Sequence, residues 1–285
     1  MTGTDRVLGI IMCPVFNDEL IHNIINDSDV DTVVVLTNDY SKDLCIKLES
    51  SNIEHRTIPE SEFVPERFDP TGLGFTILVQ TNNLGLHGDP PSLKSKIERQ
   101  IEHLQPCIDA LGVYYCQCGN ADFDPTQWCR EKGLKPASVY RGDDGRVCYD
   151  CACVAFGSTE RYMQVRSKYG EVFYLTPAIT YHLEEFVSSG AMGFTLDSMS
   201  DELKEQYGIH SNLDIIRWML REGNIERSLK IDTKLVDPVA FDRAFMDLSR
   251  EMGLKPIIIG QDLITVKAVD SIYAECKRNI GNLKR

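Results

Sequence analysis

Long hydrophobic runs are missing from this 285-residue sequence. The apolar run at residues 7–12 is too short for the core of a signal peptide, and no segment approaches the roughly 20 apolar residues of a transmembrane helix. No lipidation pattern ends the chain. We therefore expect a soluble, cytoplasmic protein with no membrane partner.

Positive charge is also scarce. The sequence has 30 Lys and Arg against 43 Asp and Glu, which gives a formal net charge of −13. Such a surface repels the phosphates of nucleic acids unless its positive charges are clustered, and no strong cluster is present. The composition therefore predicts that nucleic acid is not a partner.

Several motifs of common enzyme classes are absent. The sequence has no Gly-x-x-x-x-Gly-Lys phosphate loop, no Gly-x-Gly-x-x-Gly dinucleotide turn, no His-Glu-x-x-His and no Gly-x-Ser-x-Gly elbow. It also lacks an Asp-x-His-x-x-Gly run of the kind that binds cobalamin. These absences argue against an ordinary kinase, dehydrogenase, zinc protease, hydrolase or corrinoid carrier.

What is present is an alternation of short apolar runs and amphipathic segments. Strands are predicted at 7–12, 31–37, 53–58, 75–80, 113–116, 172–175, 228–232 and 256–259. Helices are predicted at 17–26, 41–50, 92–111, 125–132, 158–169, 177–187, 201–221, 238–252 and 263–278. Each crossover helix must bury its apolar stripe, so this alternation predicts a doubly wound α/β fold, with a mostly parallel sheet and helices on both faces. We expect a single domain over residues 1–285 with a helical insertion at 197–222.

The ten cysteines are more than packing requires, and the cytosol keeps thiols reduced. Half of them fall in one stretch of the chain: Cys116, Cys118, Cys148, Cys151 and Cys153. The sequence therefore favours metal ligation or thiol chemistry over a disulfide framework.

Three cysteines are predicted to meet in space. Cys13 follows the first strand, Cys118 follows the strand at 113–116, and Cys151 precedes the helix at 158–169. The carboxyl ends of parallel strands share one edge of the sheet, where doubly wound proteins place their sites. Clustered thiolates repel one another, and a soft or borderline cation removes that repulsion, so zinc or an iron–sulfur cluster is expected. Three protein sulfurs would leave one coordination position for a ligand.

The spacing leaves alternatives open. Cys148-x-x-Cys151 fits a metal knuckle or a metal-free redox pair, and a second Cys-x-x-Cys at zinc-ribbon spacing is absent. Residues two apart in an extended segment point the same way, so Cys116 and Cys153 could also be ligands. They could equally be buried packing residues.

Four further residues are candidates for binding a cofactor. Asn82 and His87 follow the strand at 75–80, again at the presumed functional edge. Ser158 and Arg161 begin a helix whose free N–H groups could hold an anion, although a simple helix cap explains Ser158 as well. Asp150, beside Cys151, could orient a ligand or cap a turn.

Several short motifs of the sequence are shared with a known family. They are Cys13 with Glu19, Tyr-Cys-Gln-Cys-Gly-Asn at 115–120, Asp-Cys at 150–151, Phe-Gly-Ser-Thr-Glu-Arg-Tyr at 156–162, Tyr-Leu-Thr-Pro at 174–177 and Leu-Lys-Ile-Asp-Thr at 229–233. In these motifs the sequence resembles the domain of unknown function 1638 family of archaeal and bacterial proteins, often found in methanogens near methylamine and corrinoid methyltransferases. The family pattern has His-Asp-Cys where this chain has Tyr149, Asp150 and Cys151. The resemblance therefore carries over Cys13, Cys118 and Cys151, with Cys116, Cys148 and Cys153 as extra cysteines that could replace the missing histidine.

The resemblance itself supplies no reaction. The first hypothesis is a metal or iron–sulfur protein of anaerobic one-carbon metabolism, in which Cys13, Cys118 and Cys151 hold zinc or an iron–sulfur cluster. Its reaction would be a metal-dependent methyl transfer involving a small thiol, a methylated substrate or a corrinoid protein. Two other hypotheses remain open: a non-catalytic accessory or metal-delivery protein for a methyltransferase, and a metal-free thiol redox protein.

Overall fold

The computed structural model describes residues 5–117 and 123–281 of the chain. The strands are β1 (Arg6–Met12), β2 (Thr32–Thr37), β3 (His55–Pro59), β4 (Phe75–Thr81), β5 (Ala110–Tyr114), β6 (Ala137–Val139), β7 (Phe173–Leu175), β8 (Arg227–Lys230) and β9 (Lys255–Ile258). The helices are α1 (Asn17–Ile25), α2 (Lys42–Ser50), α3 (Pro90–Leu104), α4 (Pro125–Lys132), α5 (Cys151–Phe156), α6 (Thr159–Tyr169), α7 (Pro177–Tyr181), α8 (Leu183–Ser188), α9 (Asp201–Tyr207), α10 (Asn212–Glu222), α11 (Pro238–Glu251) and α12 (Lys267–Gly281).

The main sheet has six parallel strands in the order β3-β2-β4-β1-β5-β6. Its central strands are buried along almost their whole length, because β1 and β4 are nearly continuous apolar runs covered on both faces. The predicted doubly wound α/β fold is therefore confirmed.

The strand order sets where a site can form. The chain leaves β1 towards β2 and β3, whereas it leaves β4 towards β5 and β6 on the other side. Right-handed crossovers then place α1 and α2 on one face and α3 and α4 on the other. α12 packs on β5, β6 and β1 beside α1 and completes the first face. The connections diverge around the carboxyl end of β1, and such a switch point opens a crevice there.

The later strands form a separate three-stranded parallel sheet in the order β7-β8-β9. Leu229 and Ile231, at β8 and just after it, belong to the same buried cluster as the strands of the main sheet. A second cluster, around Leu183, Ile215 and Ile216, joins α8 to α10. α9 and α10 occupy the predicted insertion at 197–222, and the single-domain assignment stays a prediction.

Four local features differ from the sequence prediction. The helix predicted at 92–111 ends at Leu104, before Pro106, and the helix predicted at 177–187 is interrupted at His182. α5 was not predicted as a helix, and β6 was not predicted as a strand; α5 begins at an Asp150 cap and ends at Gly157 in the left-handed conformation. Among the described residues, no helix is long and apolar enough to cross a membrane.

Candidate thiol-lined site

A cavity of about 270 Å³ lies at the carboxyl edge of the main sheet. Cys13 follows β1, Cys116 follows β5, and Cys151 is the first residue of α5; all three line this cavity. Two of these residues are almost inaccessible from outside, with 8% of Cys13 and 1% of Cys116 exposed. The sheet therefore brings together cysteines that lie more than a hundred residues apart in sequence.

Backbone hydrogen bonds hold the cysteine segments next to one another. The amide of Cys13 donates to the carbonyl of Tyr114 at 3.2 Å, which continues the β1–β5 pairing past the end of both strands. The amide of Gln117 donates to the carbonyl of Cys148 at 3.0 Å and joins the segment after β5 to the segment before α5. The position of the thiols is thus set by main-chain pairing.

Asp150 fixes the start of α5. One carboxylate oxygen accepts from the amide of Cys153 at 2.8 Å as a helix cap, and the other accepts from the hydroxyl of Tyr162 at 2.8 Å. Asp150 also lines the cavity. From the sequence, Asp150 could either orient a ligand or cap a turn. In the structure it caps α5, and its second carboxylate oxygen accepts a hydrogen bond from Tyr162.

His87 supplies an imidazole to the same cavity. It lies in a 3₁₀ turn, Leu84–Gly88, that the side chain of Asn83 caps by accepting from the amide of Gly85 at 2.7 Å. Burial lowers the pKa of His87, and the charge of Asp150 acts in the opposite direction. The lowered pKa favours the neutral imidazole, which is the form that ligates a metal or accepts a proton.

The remaining walls are mostly apolar. The main-sheet side contributes Val15, Phe16 and Leu84, and the region around β7, α7 and α8 contributes a second set. That second set comprises Val172, Phe173, Ile179, Leu183, Phe186, Ala191 and Met192. The second sheet and its helices therefore close the cavity over the thiols.

Cys148 and Cys153 pair with each other, and neither residue lines the cavity. The two side chains interact, and this interaction raises the pKa of Cys148 and lowers the pKa of Cys153. The Cys153 sulfur also lies 3.8 Å from the hydroxyl oxygen of Thr159. Both cysteines are fully buried.

The other candidate cofactor residues are engaged elsewhere. Asn82 and Gln100 exchange two side-chain hydrogen bonds of 2.8 Å in the core. Ser158 caps α6 by accepting from the amide of Arg161 at 3.1 Å, and the Arg161 guanidinium binds the carbonyl of Phe156 at 2.9 Å and the carboxylate of Asp143. Asn82, Ser158 and Arg161 do not line the cavity.

The donors around the cavity include two kinds of atom, the sulfur of cysteine and the nitrogen of histidine. Thiolate sulfur and imidazole nitrogen are ligands that suit zinc and iron, so the donor types fit such a metal. In the ranges 5–117 and 123–281, however, no group of three or more His, Cys, Asp or Glu side chains is arranged to hold a metal ion. The third predicted ligand, Cys118, lies outside the described residues.

A family model for a protein of unknown function, DUF1638, matches residues 82–269. The chain belongs to this family. The matched range includes His87, Cys116 and Cys151, whereas Cys13 precedes it. Comparison with curated proteins and with solved structures finds no match.

The position where the family pattern has a histidine does not face the cavity. Tyr149 is 51% exposed, and its ring stacks on that of Tyr162 with the centroids 6.1 Å apart. His87 is the imidazole that lines the cavity in this chain.

Sequence reasoning gave no role to two polar residues, Tyr174 and Glu19. Tyr174 lines the cavity, and its place at the start of the Tyr-Leu-Thr-Pro motif was the available signal. Glu19 carries a carboxyl oxygen that is buried and has no hydrogen-bond partner among the described residues. Its pairing with Cys13 in the family resemblance was the signal for Glu19.

Proposed function

We propose that this chain is a cysteine-ligated metal protein of anaerobic one-carbon metabolism, with a small thiol or methylated compound as its substrate. The observation that carries the proposal is the convergence of Cys13, Cys116, Cys151 and His87 on one apolar cavity. The sequence-predicted ligands are Cys13, Cys118 and Cys151, and the metal is zinc or the iron of an iron–sulfur cluster. The chain would act in the cytoplasm.

The cavity supports a catalyst over a metal-delivery protein. Delivery requires thiols that a partner protein can reach, whereas Cys13 and Cys116 are almost completely buried. A catalyst requires a pocket with a few polar groups around the reacting centre, and His87 and Asp150 provide them here. A bound metal would lower the pKa of a substrate thiol and stabilise the thiolate nucleophile.

The size of the cavity limits which molecules can bind inside it. A complete corrinoid cofactor, with the side chains of its ring, is too large for a cavity of about 270 Å³, so we expect a small thiol or methylated compound to bind inside. A corrinoid protein or a methyltransferase would therefore meet this chain as a macromolecular partner.

The test is the metal and acid-labile sulfide content of anaerobically purified protein. Wild type should contain stoichiometric zinc, or iron with sulfide, and Cys13→Ser, Cys118→Ser and Cys151→Ser should each lose it. Cys45→Ser is the matched control, because Cys45 lies in α2 and does not line the cavity. Metal-free wild-type protein, or ligand variants that keep the metal as the control does, would overturn the proposal.

One observation favours the metal-free thiol redox alternative, namely the interaction between the buried side chains of Cys148 and Cys153, which raises the pKa of Cys148 and lowers that of Cys153. In that function Cys148→Ser and Cys153→Ser would abolish activity while Cys13→Ser would not. The redox partner of Cys148 would then be Cys153, whereas the sequence spacing had suggested Cys151.

A further inference from the structure

Two loops from different parts of the chain meet beside the cavity. The 3₁₀ turn Leu84–Gly88, here called the His87 loop, follows β4 of the main sheet, and residues 189–193, here called the α8 turn, follow α8. Each loop contributes two residues to the cavity wall: Leu84 and His87 from the first, Ala191 and Met192 from the second. His87 is also exposed to solvent, so the cavity approaches the surface where the two loops meet.

The backbones of the two loops touch, because glycine stands at both points of contact. A Cβ atom added at Gly85 would lie 1.9 Å from the carbonyl oxygen of Ser189. A Cβ atom added at Gly88 would lie 2.5 Å from the carbonyl oxygen of Gly190. Only glycine allows so close an approach of one backbone to another. A side chain at either position would therefore push the loops apart.

Each loop is held by its own hydrogen bonds. The side chain of Asn83 accepts from the amide of Gly85 at 2.7 Å, and the amide of Gly193 donates to the carbonyl of Gly190 at 2.9 Å. Both loops lie wholly within the described part of the chain, and no hydrogen bond there runs from one loop to the other. The loops can therefore separate without breaking a hydrogen bond, since only packing contacts join them.

We propose that the contact between the His87 loop and the α8 turn is the gate of the cavity, which opens to admit a substrate and closes to shield the thiols. The proposal rests on the proposed function, because it gives the control of access to the same site. In the closed conformation of the structure, only 8% of Cys13 and 1% of Cys116 are exposed. Closing completes the wall in which His87 and these cysteines lie together.

Alkylation by iodoacetamide, followed at each cysteine by mass spectrometry, tests the gate. Gly85→Ala and Gly88→Ala place a methyl group in the closed contact, so they should raise the rates at Cys13 and Cys116 by about ten-fold. Gly85→Ala should have the larger effect, because its contact is the shorter. Gly281→Ala is the matched control, because a Cβ atom there would meet no atom within 4 Å, and it should leave the rates unchanged.

The rate at Cys45 checks the reagent in every sample, because Cys45 lies in α2 and does not line the cavity. It should be the same in wild type and in all three variants. Unchanged rates at Cys13 and Cys116 in folded Gly85→Ala and Gly88→Ala would overturn the proposal. If Gly85→Ala fails to fold, Gly88→Ala decides, because the longer contact of Gly88 tolerates a methyl group better.

Wild type supplies a second measurement that needs no variant. Parting two loops exposes little surface, so urea below the unfolding transition should hardly change the rates at Cys13 and Cys116. Cys276 is fully buried and does not line the cavity, so it reacts through unfolding and its rate should rise with urea. The same urea dependence at all three cysteines would mean that only unfolding exposes the cavity, and it would overturn the gate.

The alkylations use the full-length protein, both as purified and after treatment with a chelator. A bound metal would protect Cys13, a predicted ligand, and chelation removes that protection. The expected rates in metal-free protein support the gate even where metal analysis overturns the proposed function. Bound metal together with unchanged rates at Cys116 in the two glycine variants overturns the gate alone.

Discussion

Buried polar side chains in the core fall into two groups, according to whether their hydrogen bonds are satisfied. Asn82 is fully paired with Gln100, and this arrangement is that of a core residue. Glu19 is the opposite case, with a buried carboxyl oxygen that has no partner in the described part of the chain. Burial, and then the charge of Asp18, raise the pKa of Glu19 to about 8.

Glu19→Gln should stabilise the protein at high pH more than at low pH. Between about pH 4.5 and 8 the folded state keeps a proton on Glu19 that the unfolded chain releases, so this group makes the wild type less stable as the pH rises. Glutamine does not titrate, so the variant does not lose stability in this way as the pH rises. The difference in the free energy of unfolding can reach several kcal/mol, because each pKa unit corresponds to about 1.4 kcal/mol. Urea unfolding at pH 5 and pH 9 measures the difference, with the exposed Glu62→Gln as control. Equal effects of Glu19→Gln at both pH values would contradict the raised pKa.

Helix ends explain much of the local geometry around the site. Asp150 caps α5 and Ser158 caps α6, with Gly157 in the left-handed conformation between the two helices. The sequence allowed two roles for Ser158, a helix cap or part of an anion-binding site. In the structure its hydroxyl accepts from the amide of Arg161 at 3.1 Å, which is the capping bond.

Ser158→Ala should lower the free energy of unfolding by about 1 kcal/mol, because it removes the cap of α6. Ser158→Gly should cost only a few tenths of a kcal/mol, since glycine is a tolerated cap. Neither variant should change the metal content, because Ser158 does not line the cavity. Chemical denaturation and metal analysis check this, and loss of metal in a folded Ser158→Ala protein would show a role beyond capping.

At the scale of the whole molecule, the two sheets share one core. Leu229 and Ile231 of the second sheet region lie in the same buried cluster as β1 and β4. The last helix also fastens to the first half of the chain. The ammonium of Lys277 lies 2.7 Å from the carboxylate of Asp27, and the hydroxyl of Tyr273 donates to the same carboxylate at 2.7 Å. These contacts favour unfolding as one unit.

The two tryptophans test that expectation. Trp128 lies in α4 beside the main sheet, and Trp218 lies in α10 beside the second sheet. In Trp128→Phe and Trp218→Phe, the fluorescence of the remaining tryptophan should report the same urea midpoint, and that midpoint should agree with circular dichroism. Separate midpoints for the two fluorophores would indicate two independently unfolding domains.

Prediction from sequence succeeded best where the local signal was strong. Pro125 begins α4, as the prediction of a helix at 125–132 has it. It failed for α5, because a six-residue helix of cysteine, alanine, valine and phenylalanine has no amphipathic period. It also failed to separate the two sheets, because the pattern of a buried strand does not specify its neighbour.

The sequence by itself determined the alternation of strands and helices, and the parallel topology then placed Cys13 and Cys151 at one edge. That outcome follows from local physics, because apolar runs and amphipathic stripes each allow few arrangements. Only the tertiary structure decided that Cys148 pairs with Cys153, that His87 faces the thiols, and that Tyr174 completes the cavity wall. These relations depend on packing between elements distant in sequence, and neither residue spacing nor hydrophobic periodicity encodes which side chains meet there.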